Sequence, residues 1–319
     1  MNIVKKYEPK EIEDFCFDEK YKKRINMFIE KGFLNIIIVG PHGSGKTMFL
    51  NSIINKYFKT KHSEKIDNTN IFRINNLKDC GISFYRNDVK NFCQMPSKEK
   101  KLLVVDDLEM IDKSIQVIFK YYMEKWGNNF FFVATTTNPH KINESLLAKI
   151  FQINIPKKTT STLEYILDNI CSKEKICITK EAKKYIAFQS NGSIKLLFAF
   201  LKKIYYLNEK ITVSLLEDNF TIISKSEFIN YFEACKARDY QKAFEIINGF
   251  FTKGYSICDI FDEMFRFVKE SPNNIFQEED KYKIIKLISK RMIILNTIHE
   301  ENIEIYFFTK YIVDLFTDG

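Results

Sequence analysis

Apolar positions along this chain follow two rhythms, and the switch between them divides the chain. Up to about residue 157, short apolar runs (Asn35 to Val39, Ile71 to Ile74, Leu102 to Val105, Phe130 to Thr135) are separated by stretches in which apolar residues recur every three or four positions. Unbroken runs of strand length predict strands buried on both faces, and the intervening period predicts helices after Thr47 and through Ile118 and Met123. That alternation is the mark of an α/β domain built on a parallel sheet wrapped by helices, expected over residues 1–157.

From about residue 158 only the helical period remains. Thr179 is placed to N-cap a helix carrying Ala182, Tyr185, Ile186 and Phe188, and Gly192 with Ser193 opens another containing Ile194, Leu197, Phe198 and Leu201. A small helical lid over 158–221 is expected. Further on, Ala243, Ile246, Ile247 and Phe250 fall at i, i+3, i+4 and i+7, Gly254 reads as a stop and Ser256 as the next N-cap. Residues 222–319 therefore read as an all-α domain. Its aromatic load points to some packing against other subunits, with plain core the fate of most single residues.

Two of the predicted strands end in chemistry. The first runs into Gly40, Pro41, His42, Gly43, Ser44, Gly45, Lys46 and Thr47, a phosphate-binding loop between strand and helix. Glycines let consecutive backbone N–H groups turn inward as an anion nest, and the following helix adds the positive end of its dipole. Lys46 is suited to reach β- and γ-phosphates as a point charge, and the Thr47 hydroxyl to take one place on Mg²⁺. The run Leu102 to Val105 ends in Asp106 and Asp107. Ligand crevices of open α/β sheets lie at the carboxyl ends of the strands, so both termini are expected at one place. Asp106 is the better candidate for holding Mg²⁺ and Asp107 for polarising an attacking water.

Composition narrows the rest. At 319 residues two or three domains are expected, and 45% hydrophobic with 15% aromatic residues is ample for packed cores. Seven cysteines form no C-x-x-C pair and only four histidines occur, which points to a reducing compartment and away from zinc or histidine-based metal centres. No apolar span reaches membrane length, so a soluble intracellular chain is expected. The net charge of +8 favours an anionic partner, nucleic acid first, although the Lys, Ile, Asn and Phe bias fits an AT-rich genome equally well.

These pieces, in this order, resemble the small subunits of the replication factor C clamp loader within the AAA+ ATPases. Lys6, Tyr7, Glu8, Pro9, Lys10 is similar to the family's Lys-Tyr-Arg-Pro-Lys opening, which implies that Tyr7 and Pro9 line an adenine pocket. Asn75, Gly81, Ile82, Arg86, Lys90 and Phe92 resemble the Asn-Ala-Ser-Asp block and the helix after it, and Met123 to Trp126 the Met-Glu-Lys-Tyr segment. Asn138 matches the sensor-1 residue, Glu144 to Ile150 the Ser-Arg-Cys segment, Gly192 to Lys195 the sensor-2 motif, and Ala234 to Tyr255 the collar domain. Initiator and helicase-loader ATPases share the nucleotide site but usually finish in a winged helix, and no β wing is visible.

The resemblance implies ATP and Mg²⁺ as cofactors, a five-subunit ring joined by collars, and loading of a sliding clamp onto primer–template DNA. The expected location is the nucleus or a cytoplasmic viral replication site, and the origin a large DNA virus or another divergent lineage. The chain departs from the family at three catalytic positions: Asp107 replaces glutamate, Lys149 the trans-acting arginine and Lys195 the sensor-2 arginine. A reach shortened by one methylene, about 1.5 Å, can cost about 10² in rate, and loss of an arginine fork more. A subunit that binds nucleotide but hydrolyses poorly is therefore one alternative, and an initiator or helicase loader another. Arg86 and Lys90, four apart on one helix, are the expected phosphate track for DNA, with Lys113 a secondary candidate. Gln116, Phe119 and Tyr122 fall where the family docks the clamp and faintly resemble a clamp-binding peptide, with an amphipathic helix packed on the sheet preferred for Phe119.

Overall fold

The computed structural model describes residues 3–61, 68–74, 81–97, 100–207, 209–219, 223–272, 275–295 and 301–317. Two compact units emerge, Met1–Ile211 and Thr212–Gly319.

In the first unit β1 (Ile36–Val39), β2 (Ile71–Ile74), β3 (Lys101–Val105), β4 (Phe130–Thr136) and β5 (Phe151–Asn154) make one sheet in the order β2-β3-β4-β1-β5. Every pairing is parallel. Side chains alternate between two cores. Ile36, Ile38, Leu102, Val104, Phe131 and Val133 face one, while Ile37, Leu103, Val105, Phe130, Phe132 and Ala134 face the other. Burial on both faces is why these strands read as continuous apolar runs. The α/β expectation holds. β5 escaped the sequence reading because it is an edge strand in which only Ile153 is buried, so no apolar run marks it.

Helices cover both faces. α1 (Glu19–Glu30) and α2 (Lys46–Lys61) pack on the first core, the latter through Phe49, Leu50, Ile53, Ile54, Tyr57 and Phe58. On the second, α3 runs as one helix through Ile82–Phe84, a π-helical turn Tyr85–Val89 and Lys90–Gln94. α4 (Lys113–Trp126) buries Ile115, Gln116, Phe119 and Tyr122, a heptad-like stripe.

Past the sheet come α5 (Thr160–Glu174), α6 (Lys180–Gln189) and α7 (Ile194–Leu207), still within the first unit. Thr179 caps α6 by accepting the Ala182 amide at 3.2 Å, and the Ser193 hydroxyl accepts the Leu196 amide at 3.3 Å at the start of α7. The second unit is helical: α8 (Val213–Asn219), α9 (Lys225–Lys236), α10 (Tyr240–Thr252), α11 (Ile257–Glu270), α12 (Glu278–Leu295) and α13 (Glu301–Thr317). Gly254, at φ +86°, ends the α10 turn, and Ser256 with Asp259 forms a capping box for α11. Phe228, Phe232, Phe250, Phe261, Phe276 and Phe308 are core residues here. Tyr282, Phe307 and Tyr311 remain exposed.

Candidate active site

β1 lies between β4 and β5, so the loop it feeds is braced from both sides. The Gly40 amide donates to the Thr136 carbonyl at 3.2 Å, and the Ile155 amide to the Val39 carbonyl at 2.7 Å. Gly43 and Gly45 sit at φ +71° and +92°, the left-handed turns that curl backbone amides inward. Lys46 is 7% exposed, and its Nζ donates to the loop's own carbonyls, Gly40 at 3.0 Å and Pro41 at 3.2 Å. Burial lowers its pKa, while Asp107, Glu109 and Asp106 oppose that shift. The Ser44 hydroxyl is buried with no hydrogen-bond partner among the described residues. A buried polar atom left over in a nest of amides fits an anion that accepts from it. Pro41 and His42 are exposed at the loop's rim.

The acidic turn meets the loop across β4. The Thr47 hydroxyl, at the start of α2, donates to Asp106 Oδ2 at 3.1 Å and Oδ1 at 3.3 Å. Thr135 also donates to Asp106, and accepts from the Asp107 amide at 2.9 Å. Asp107 takes φ +51°, a left-handed conformation that Asp tolerates better than most side chains. Burial first, then Asp106 and Glu109, push its carboxyl above the ordinary carboxylate range, against Lys46 and His42. Among the described residues, no group of three or more His, Cys, Asp or Glu side chains is arranged to hold a metal by itself. A divalent cation beside Thr47 and Asp106 would draw its remaining ligands from phosphate oxygens and water.

The start of α7 closes over the loop. The Gly43 carbonyl accepts the Ile194 amide at 3.0 Å and the Lys195 amide at 3.3 Å, while the Lys195 side chain stays exposed. At the chain's start, Lys6 and the Tyr7 hydroxyl both donate to Glu174 in the last turn of α5, and Pro9 is half-buried. Burial and Glu174 push the Tyr7 phenol up to about 12.

The other predicted residues are spread more widely. Asn138, beyond β4, is exposed, and its side chain accepts the His140 amide at 3.0 Å. Lys149 is exposed and pairs with Glu124 at 3.5 Å. Arg86, Lys90 and Lys113 are solvent-facing, the first two on α3 and the last opening α4. Asn75 lies outside the described residues. The packed-helix reading preferred for Phe119 holds and the clamp-peptide likeness is corrected: Gln116 and Phe119 are fully buried and Tyr122 is 3% exposed, because they form the sheet-facing stripe. The α4 surface carries Val117 and Tyr121 instead, with Met110 on the preceding turn. Sequence reasoning also missed Glu109, whose carboxylate accepts from both the amide and the hydroxyl of Thr137, and Glu174. Only the unbroken threonine run at 135–137 hinted at such bonds.

Comparison with known proteins adds an independent line. The family model for AAA, the ATPase family associated with various cellular activities, matches residues 36–158, and that for the replication factor C C-terminal domain matches 223–303. Replication factor C small subunit R395 of Acanthamoeba polyphaga mimivirus is 24% identical over 260 residues, 81% of this chain and 80% of that protein. Replication factor C subunit 4 of Arabidopsis thaliana is 21% identical over 302 residues, 90% of this chain and 87% of that one. Among solved structures, the Holliday junction branch migration motor RuvB of Thermotoga maritima superposes with a TM-score of 0.53 at 16% identity, covering 72% of this chain and 78% of that one, which shows likeness of fold alone.

Proposed function

Because this chain belongs to the AAA+ ATPases of the replication factor C small-subunit type, we propose that it binds ATP with Mg²⁺ and works in a hetero-oligomeric ring that loads a sliding clamp onto primer–template DNA. The observation that carries this reading is the pairing, in one chain, of the Gly40–Thr47 loop facing Asp106 with a collar-type C-terminal region. Initiators and helicase loaders supply the first without the second. The three expected parts, 1–157, 158–221 and 222–319, then serve as nucleotide domain, lid and collar.

Lys46 leaves the Gly40 and Pro41 carbonyls for the β- and γ-phosphates, and the loop amides with the Ser44 hydroxyl cradle the phosphate chain. Carboxylates outnumber ammonium groups in the crevice, so a divalent cation would favour entry of a triphosphate. Thr47 and Asp106 would hold Mg²⁺, which would supply positive charge to offset that of the phosphates. Asp107 orients and deprotonates the attacking water, and Asn138 reads the γ-phosphate. Tyr7 and Pro9 flank the base, Lys195 lies on the lid side, and Lys149 faces a neighbouring subunit's nucleotide. The clamp meets Met110, Val117 and Tyr121, and DNA phosphates meet Arg86, Lys90 and Lys113. The exposed aromatics of α12 and α13, Tyr282, Phe307 and Tyr311, suit collar-to-collar contact.

One observation favours a hydrolysis-poor variant of this role. Lys149 lacks the arginine fork and is already held by Glu124 within its own chain. Two measurements decide. Equilibrium titration with ATP and Mg²⁺ is expected to show binding by the wild-type chain and at least a hundredfold loss in Lys46→Ala; no binding by folded wild type refutes the nucleotide reading. In the reconstituted assembly, clamp- and DNA-stimulated turnover is expected to drop with Lys46→Ala in this subunit, and unchanged turnover leaves it a structural member.

A further inference from the structure

Beyond Asp107 the chain makes a tight turn, Leu108–Met110, and Glu109 at its centre reaches back toward the end of β4. One carboxylate oxygen, Oε1, accepts the Thr137 amide at 2.8 Å and the Thr137 hydroxyl at 2.6 Å. Thr137 immediately precedes Asn138. Two residues earlier, on the same side of the strand, Thr135 bonds Asp106 and the Asp107 amide. The threonine run therefore joins the acidic turn to the sensor segment at two points, and Glu109 supplies the outer one. Asn138 has its own local bonds, its amide to the Thr136 hydroxyl at 3.2 Å and its side chain to the His140 amide. Those bonds shape the segment, and its ties to the acidic turn run through Glu109, which bonds Thr137 and also draws on the Thr136 hydroxyl. A carboxylate that accepts both an amide and a hydroxyl from one residue fixes that residue in distance and in rotation.

We propose that Glu109 is a positioning residue for triphosphate recognition, holding Asn138 in register with the Asp106–Asp107 turn so that the chain distinguishes a nucleoside triphosphate from the diphosphate. This rests on the nucleotide-site reading above. Glu109 acts through its bonds to the Thr136–Thr137 segment. Losing the clamp on Thr137 releases Asn138 from the γ-phosphate position while leaving the loop that grips the α- and β-phosphates intact.

The test is a pair of equilibrium titrations of the full-length chain, with ATP and with ADP, both with Mg²⁺. Glu109→Ala is expected to lower the preference for ATP over ADP by about tenfold, the order of one hydrogen bond to a charged group, a change in the ratio of the two affinities and not in both alike. Glu109→Gln keeps a carbonyl oxygen for both Thr137 donors and is expected to retain most of the preference. Thr137→Val removes the hydroxyl donor but keeps the amide, so an intermediate loss is expected, and it carries the test if Glu109→Ala does not fold. A Glu109→Ala protein that discriminates like wild type, or that loses ADP affinity in equal measure, overturns the inference while the nucleotide reading stands. A folded wild-type chain that binds neither nucleotide overturns both.

Discussion

Gly43 is the residue on which the glycine loop meets the start of α7. A Cβ there would lie 2.1 Å from the Ser193 hydroxyl and 3.3 Å from the Lys195 Cβ, and the backbone is already at φ +71°. Gly43→Ala therefore combines left-handed strain, about 1–2 kcal/mol, with displacement of the cap that starts α7. Thermal denaturation is expected to show a melting temperature lower by several degrees, together with weaker ATP binding; an unchanged melting curve would show that the loop and the start of α7 are not in contact. Much of this site could be read in advance, because the loop at 40–47 and the pair at 106–107 are contiguous in sequence and each ends an apolar run. Glu109 could not, since its partner Thr137 lies 28 positions away and the pairing exists only once β3 and β4 are side by side.

α4 presents two faces with opposite expected sensitivities. Phe119 is fully buried between Tyr85 and Phe132, with ring centroids 5.9 and 5.4 Å away, so Phe119→Ala is expected to cost about 3–5 kcal/mol in chemical denaturation. Val117 is 46% exposed, and Val117→Asp is expected to move stability by less than about 0.5 kcal/mol. If the outer face meets the clamp, that same change weakens clamp capture by the assembly at least tenfold. Capture as strong as wild type would move the clamp contact elsewhere. The 3.6 period announced α4 as a helix, yet the residues chosen for their likeness to a docking peptide were those turned inward. α3 holds a different surprise: the Tyr85 carbonyl, at its π-helical turn, accepts the Tyr122 hydroxyl at 3.1 Å, a bond between elements that no local pattern encodes.

Taken whole, the molecule carries a net charge of +8, and that excess bears on DNA only where cations are gathered. Arg86 and Lys90 share α3, and each replaced by Gln is expected to reduce the slope of log affinity against log salt by about one in the reconstituted assembly. A slope that does not move would place the DNA track on other residues. Strand-and-helix alternation revealed the fold class, but the sheet order β2-β3-β4-β1-β5 was not legible, because the parallel partners of β1 come from beyond residue 129.

That order has a consequence for how the chain is made. The space beside Gly40 is closed by the Ile155 backbone, whose carbonyl would lie 2.9 Å from an added Cβ, while the Thr136 carbonyl holds the Gly40 amide. During translation the glycine loop leaves the ribosome long before either brace exists, and its strand stays bare on both edges. Distant parallel pairing is slow and aggregation-exposed. Nascent fragments that stop short of Ile155 therefore hold a finished motif on an unfinished support, and shielding by chaperones matters most in the interval before the fifth strand arrives.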